Sequence, residues 1–178
     1  MEPNARRNAV RGQTLAEFAL IFPVLLLFLF GIIQFGILYG GQIGLVNAAR
    51  EAARYAAVLQ TGSSTTASAF QTETYDELTS KFLPRSVVGY GAANLVTSGA
   101  DRTAVCYFSR SNADGTSFSV FVRVQVQYRH PLLIPIVGNI VDGIDGTPDQ
   151  AFRLGASEEM RVENPLISSD PGGLPSCP

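Results

Sequence analysis

The sequence predicts an α+β fold in which one long N-terminal helix, crossing a membrane over residues 18–38, is followed by a small antiparallel β-sheet domain. Three observations predict it. Phe18 to Ile33 carry no polar side chain, and with Gln34 the apolar run extends to Leu38. Beyond it, Asn47, Arg50, Glu51 and Arg54 recur at three- and four-residue spacing, the period of a helix with one buried face. Finally, Phe118 to Tyr128 alternate between apolar and mainly polar residues, the period of a strand with one buried face.

The 21 residues from Phe18 to Leu38 span roughly 30 Å as a helix, the thickness of a bilayer's hydrocarbon core. A cleaved secretory signal would have a shorter apolar region, about 7 to 15 residues, ending in a small-residue cleavage site. Here the run passes instead into Tyr39-Gly40-Gly41 and an Ala-rich helical pattern, so it reads as an anchor in the lipid bilayer. Arg6, Arg7 and Arg11 precede the span and favour a cytoplasmic N-terminus. The rest of the chain is then extracytoplasmic, which makes it a single-pass protein of the cytoplasmic (inner) membrane.

Residues 1–12 form a basic leader. One helix is expected over residues 13–60, about 70 Å long, with Pro23 as a kink because it lacks a backbone donor and crowds the preceding turn. Its upper half should bury Val46, Ala49, Ala53, Tyr55, Ala56 and Val58. Small residues recur every fourth position from Gly36 through Gly40, Gly44, Ala48 and Ala52 to Ala56. At Gly36, Gly40 and Gly44 two readings stand: a ridge for close helix contact, or the ordinary abundance of Gly in membrane helices. Higher up, Ala as a plain helix former is preferred.

Residues 61–69 (TGSSTTASA) read as a flexible linker, and residues 70–163 as the extracytoplasmic α+β domain. A short helix is expected at Glu73 to Phe82, with Tyr75, Leu78 and Phe82 on one side and Pro84 beyond its end. Arg85 to Asp101 reads as Gly-rich loop with a short strand around Leu95 to Thr97. Thr103 to Ser109 should pair with Phe118 to Tyr128 through a turn at residues 111–115. Ala151 to Val162 supplies a third strand, with Glu158 breaking its apolar row and reaching a sheet edge or a partner. Pro131 to Val141 is apolar, broken by Pro135 and Gly138, and too short to span. It either packs under the sheet or rests on the bilayer beside the anchor. Residues 164–178, rich in Pro, Gly and Ser, should be irregular.

Thirteen basic against 15 acidic residues give a formal charge of −2, which builds no basic face for nucleic acid. Two Cys and one His cannot supply a multi-Cys metal centre, and neither a Walker nor a Rossmann glycine motif occurs. Asp142, Asp145 and Asp149 do not follow the EF-hand spacing and, among Gly143, Gly146 and Pro148, read as turns. His130, at a strand end before Pro131, reads as solvated or capping rather than catalytic, since no nucleophile and acid can be assembled around it. No metal and no cofactor is expected.

The pattern that carries chemistry is RRNAVRGQTLAEF at residues 6–18: a basic stretch, a Gly, then a carboxylate at the mouth of an apolar span. It resembles the class III signal of type IV prepilins. That resemblance implies cleavage by a prepilin peptidase between Gly12 and Gln13, which makes Glu17 the fifth residue of the mature chain. Thr14, Leu15 and Glu17 match the second, third and fifth mature residues common in such proteins, whereas Gln13 departs from their usual Phe. With RGQTLAEFALIFP leading into the span and NAAREAARYAA following it, the first sixty residues resemble the TadE-like family of the tight-adherence (Flp) pilus system. RLGASEEMRVEN near the C-terminus is similar more weakly.

The resemblance implies a pilin-like fold and a pseudopilin-like (minor pilin) protein, not itself an enzyme, that assists assembly or initiation of the pilus beside other pilin-like or pilus-assembly membrane proteins. Cleavage would place the α-amino group of Gln13 one turn from Glu17, on the same face. The amine pairs with that carboxylate or with Glu17 of a neighbouring subunit, and only the second fixes register. Cys106 and Cys177 either form a bridge, similar to the C-terminal staple of many pilins, or stay reduced; closing a loop of about seventy residues is worth roughly 4 kcal/mol. The alternative function is an uncleaved single-pass membrane protein whose outer domain binds a ligand or another protein.

Overall fold

The structure, a computed structural model, describes residues 4–59, 67–113, 118–146 and 149–163. It has the predicted α+β architecture: helix α1 (Asn4–Val58) and α2 (Ala67–Glu77), a π-helical turn (Leu78–Phe82), α3 (Leu83–Ser86), a 3₁₀ turn (Ala92–Asn94), strands β1 (Ala104–Ser111) and β2 (Phe118–Pro131), helix α4 (Pro135–Asp145) and strand β3 (Ala151–Arg161). Two compact units are present. One comprises Met1–Ile37 with Leu132–Gln150, the other Leu38–Pro131 with Ala151–Pro178.

In the larger unit the strands form one antiparallel sheet in the order β1-β2-β3. Its inner face follows the period-2 pattern: Val120, Val122, Val124, Val126 and Tyr128 of β2 are all buried, as are Leu154 and Ala156 of β3. The C-terminal stretch of α1 covers them. Leu45, Ala48, Ala49, Ala52, Ala53 and Ala56 are buried in the same core, so the contact face is set by Ala more than by the larger residues. Val46 and Tyr55 are only partly buried and Val58 is exposed, a correction to the predicted face. The Ala row is not neutral helix filler either, because its small side chains let the sheet approach the helix closely enough to exclude water.

The second helix is longer than predicted. It starts at Ala67, inside the stretch read as linker, whose residues 61–66 lie outside the described residues. It also continues past Pro84. The π turn makes this feasible: Leu83 N–H donates to the Leu78 carbonyl, a wider ring than the α-helical one, and Pro84 then occupies the first turn of α3, where its missing donor costs little. Thr79 Oγ1 donates to the Tyr75 carbonyl at 2.9 Å and Ser80 Oγ to that of Asp76 at 2.5 Å. Leu78 and Phe82 point into the core as predicted.

The strand expected around Leu95 to Thr97 reduces to a single bridge, Leu95 to Tyr128. Val96 N–H donates to the Gln127 carbonyl at 2.9 Å, and Thr103 N–H to the Val96 carbonyl at 2.7 Å, so this segment folds back after one residue of pairing. The turn read at residues 111–115 falls partly, and the tail at 164–178 wholly, outside the described residues.

In the smaller unit, α1 runs through Pro23 as continuous helix, and Pro131 to Val141 resolves into the strand end and α4. Pro135 does not break a segment; it opens α4 at the first turn, the position for which its fixed φ and missing N–H suit it. Gly146 closes α4 in the left-handed region (φ 75°), its N–H donating to the Asp142 carbonyl at 3.0 Å. Of the two placements open for this segment, α4 lies beside the anchor. Ile136 and Val137 line an apolar cleft with Pro23, Leu26, Leu27 and Phe30 of α1.

Candidate functional site on the membrane anchor

One helix among the described residues is long and apolar enough to cross a membrane, within Thr14–Val58, and only 6% of its most apolar 18-residue window is buried. A soluble core helix of that composition would be covered by protein. Here Leu20, Ile21, Leu25, Phe28, Ile32 and Phe35 are each more than half exposed, a surface far too apolar for water. The protein is therefore read as a single-pass membrane protein.

At the head of this helix, Gly12 and Gln13 lie within α1, their side chains outside the described residues, and Glu17 stands on an exposed flank. The helix places Gln13 and Glu17 on one face because four residues are slightly more than one turn.

The three glycines divide. A Cβ added at Gly36 or Gly40 would meet nothing within 4 Å, whereas at Gly44 it would lie 2.2 Å from the Ser86 carbonyl oxygen. Gly44 is used inside the chain, against the end of α3, and its small size serves the fold of the larger unit. Gly36 and Gly40 leave open surface.

Gln34, the one polar side chain in the apolar run from Phe18 to Leu38, has a partner. It is fully buried, and its Oε1 accepts from Leu133 N–H at 3.0 Å and Ile134 N–H at 3.2 Å. Those two donors precede α4 and have no intrahelical acceptor. They fix the amide's orientation, since only its oxygen can accept. The signal available in the sequence was the lone amide in a membrane span, where a polar side chain is costly unless bonded.

On the larger unit, the interruption of the β3 row at Glu158 has the partner it was expected to reach: Arg50 Nη2 lies 3.1 Å from Glu158 Oε1. The pair is largely exposed and contributes at most about 1 kcal/mol. Gln42 Nε2 donates to the Gly155 carbonyl at 2.8 Å, a second tie from α1 to β3. Tyr55 Oη donates to Glu73 at 2.9 Å; burial first, then that bond, push its pKa up to about 12. On the outer face of the sheet, the hydrogen bond from Arg123 holds the Glu159 carboxyl below the usual range, with Arg110 adding to it.

His130 is not solvated. It is buried, with Nδ1 3.1 Å from the Pro131 carbonyl and its ring edge-on to Tyr128. It packs so closely on Gly41 that a Cβ there would lie 2.7 Å from its Cδ2, a structural role. Asp142 Oδ2 accepts from Gln150 N–H at 3.0 Å, closing a turn. No group of three or more His, Cys, Asp and Glu placed to hold a metal occurs among the described residues. Cys106 is buried on β1; Cys177 lies outside the described residues.

No curated protein and no solved structure matches this chain. Residues 12–54, from Gly12 through the span to the Ala/Arg helix, match the family model described as TadE-like protein, and over that segment the chain is similar to that family.

Proposed function

We propose that this protein is a pseudopilin-like (minor pilin) component of a tight-adherence (Flp) pilus system. A prepilin peptidase trims it between Gly12 and Gln13, and it acts in pilus assembly or initiation beside other pilin-like or pilus-assembly membrane proteins. The TadE-like match implies a Tad pilus-associated membrane protein, and its extent carries the reading: it begins at Gly12 and covers the anchor, the part that would be processed and would pack with neighbours. The one His of the larger unit is buried against Tyr128 and Gly41. The membrane is the cytoplasmic one, with the N-terminus inside.

Intact mass of protein extracted from cells that contain the native peptidase tests this directly. The expected chain begins at Gln13. A chain that keeps Arg6 and Arg7 in those cells overturns the processing step and favours the second reading, an uncleaved anchor carrying a binding domain. One observation speaks for that second reading: a polar cleft on the larger unit lined by Ser98, Asp101, Gln127, Arg129 and Arg153.

A bridge between Cys106 and Cys177 belongs to the same proposal. Reduction is expected to lower the thermal transition, because opening a loop of about seventy residues costs about 4 kcal/mol in the chain-entropy model. An unchanged transition and unchanged non-reducing gel mobility would mean that the two thiols are not joined.

A further inference from the structure

We infer that α4 is a second membrane element: a short apolar helix lodged in the bilayer beside the span, its non-helical entry capped by Gln34. Three observations carry this. The first turn of α4 stands at membrane depth. Ile136 and Val137 share a cleft with Leu27 and Phe30, and Phe30 lies eight residues, or about 12 Å, inside the end of the apolar span at Leu38.

Second, α4 is two-sided, but both sides are apolar over most of its length. Val137 and Val141 are buried, and Gly138 packs against Leu132. The opposite stripe, Ile136, Ile140 and Ile144, is 63%, 54% and 78% exposed, and Leu133 before it is 63% exposed. Residues at this four-residue spacing lie along one face. The stripe and the exposed apolar flank of the anchor belong to the same compact unit, and the solvent that covers the one covers the other. Asp142, the one carboxylate whose side chain is described on this helix, stands in its last turn.

Third, the backbone is prepared for a dry environment. Irregular backbone is tolerated at membrane depth only where its polar groups are satisfied by protein. Gln34 Oε1 takes the Leu133 and Ile134 N–H groups, Leu132 N–H donates to the Gln150 carbonyl at 2.9 Å, and Gly138 N–H to that of Ile134 at 2.8 Å. The occupant of the exposed stripe is therefore lipid acyl chain, not a protein partner.

The chain contains no Trp, so single Trp reporters can be placed in the full-length protein reconstituted into phosphatidylcholine vesicles. Ile136→Trp and Ile140→Trp are expected to be quenched by acyl-brominated lipid to at least half the extent of Ile33→Trp in the span. Val88→Trp, at an 80% exposed position of the larger unit, should be quenched little. Quenching of the α4 reporters no greater than that of Val88→Trp overturns the inference, whether water or a second copy covers the stripe. In Gln34→Leu, amide exchange at Leu133 and Ile134 should accelerate about tenfold or more, the cost of leaving buried donors unpaired; unchanged exchange would remove Gln34 as the cap. Neither measurement involves a peptidase or a pilus, so their outcome is independent of the proposed function.

Discussion

Gly44→Ala is expected to destabilise the larger unit by about 1–3 kcal/mol or more, although Ala is the better helix former. Propensity alone would favour the change by about 1 kcal/mol in a helix interior. Overpacking against a rigid group costs more, and here the obstacle is backbone: the new Cβ would sit 2.2 Å from the Ser86 carbonyl oxygen and 3.2 Å from the Val87 Cα. Ser86 ends α3 and Val87, itself buried, follows it, so α1 or the α3 segment must shift. Denaturant unfolding of the detergent-solubilised protein, followed by near-UV signal from the tyrosines, should show a lower midpoint. Gly36→Ala is the control. With nothing within 4 Å of its Cβ, it should be neutral or slightly stabilising. Equal midpoints for the two variants would show that the α1–α3 contact is not as close as described.

The same contrast separates folding from assembly. If Gly36 and Gly40 present surface to another membrane helix, then Gly40→Leu should leave the unfolding midpoint within about 0.5 kcal/mol of the parent. It should nevertheless weaken the contact by blocking close approach of backbones. Gly44 cannot be used this way, since its substitution damages the fold first.

These glycines show what periodicity can and cannot reveal. The apolar span, the β2 alternation and the Glu158 interruption were legible because each is a local pattern whose period belongs to one element. The row of small residues was equally visible, yet its three glycines do different things, and what separates Gly44 from Gly36 and Gly40 is the return of a segment forty residues away. Gln34 was illegible for the same reason: an amide in an apolar run announces a partner without naming it, and the partner is a turn a hundred residues on. The continuation of helix through Pro84 was missed because a π turn has no composition of its own. Pro135 misled in the opposite direction, since Pro marks helix starts as well as breaks. The pattern at Gly12 and Glu17 is likewise local to a few neighbouring residues, and its reading as a processing site belongs to the proposal.

Glu17→Gln should reduce pilus yield at least tenfold while leaving membrane insertion and cleavage intact. Gln keeps the volume and hydrogen-bonding capacity of the side chain and removes only its charge. Insertion cannot suffer, because a neutral amide enters the bilayer more cheaply than a carboxylate, which costs about 2.5–3.5 kcal/mol near the centre and less toward the interface. Cleavage depends on the leader and the Gly12–Gln13 bond, so intact mass of the variant should still begin at Gln13. Under the proposed processing, what the variant loses is the counter-charge to the α-amino group that cleavage would create. An amine carried into an apolar helix bundle without its carboxylate is an unpaired charge, and breaking such a pair costs about 3–5 kcal/mol where it is buried. Glu17→Asp, which keeps the charge on a shorter arm, should recover part of the yield. Full yield from Glu17→Gln would make the carboxylate dispensable for assembly. Loss of yield in Glu17→Gln with no recovery in Glu17→Asp would argue that the charge alone is not what assembly uses.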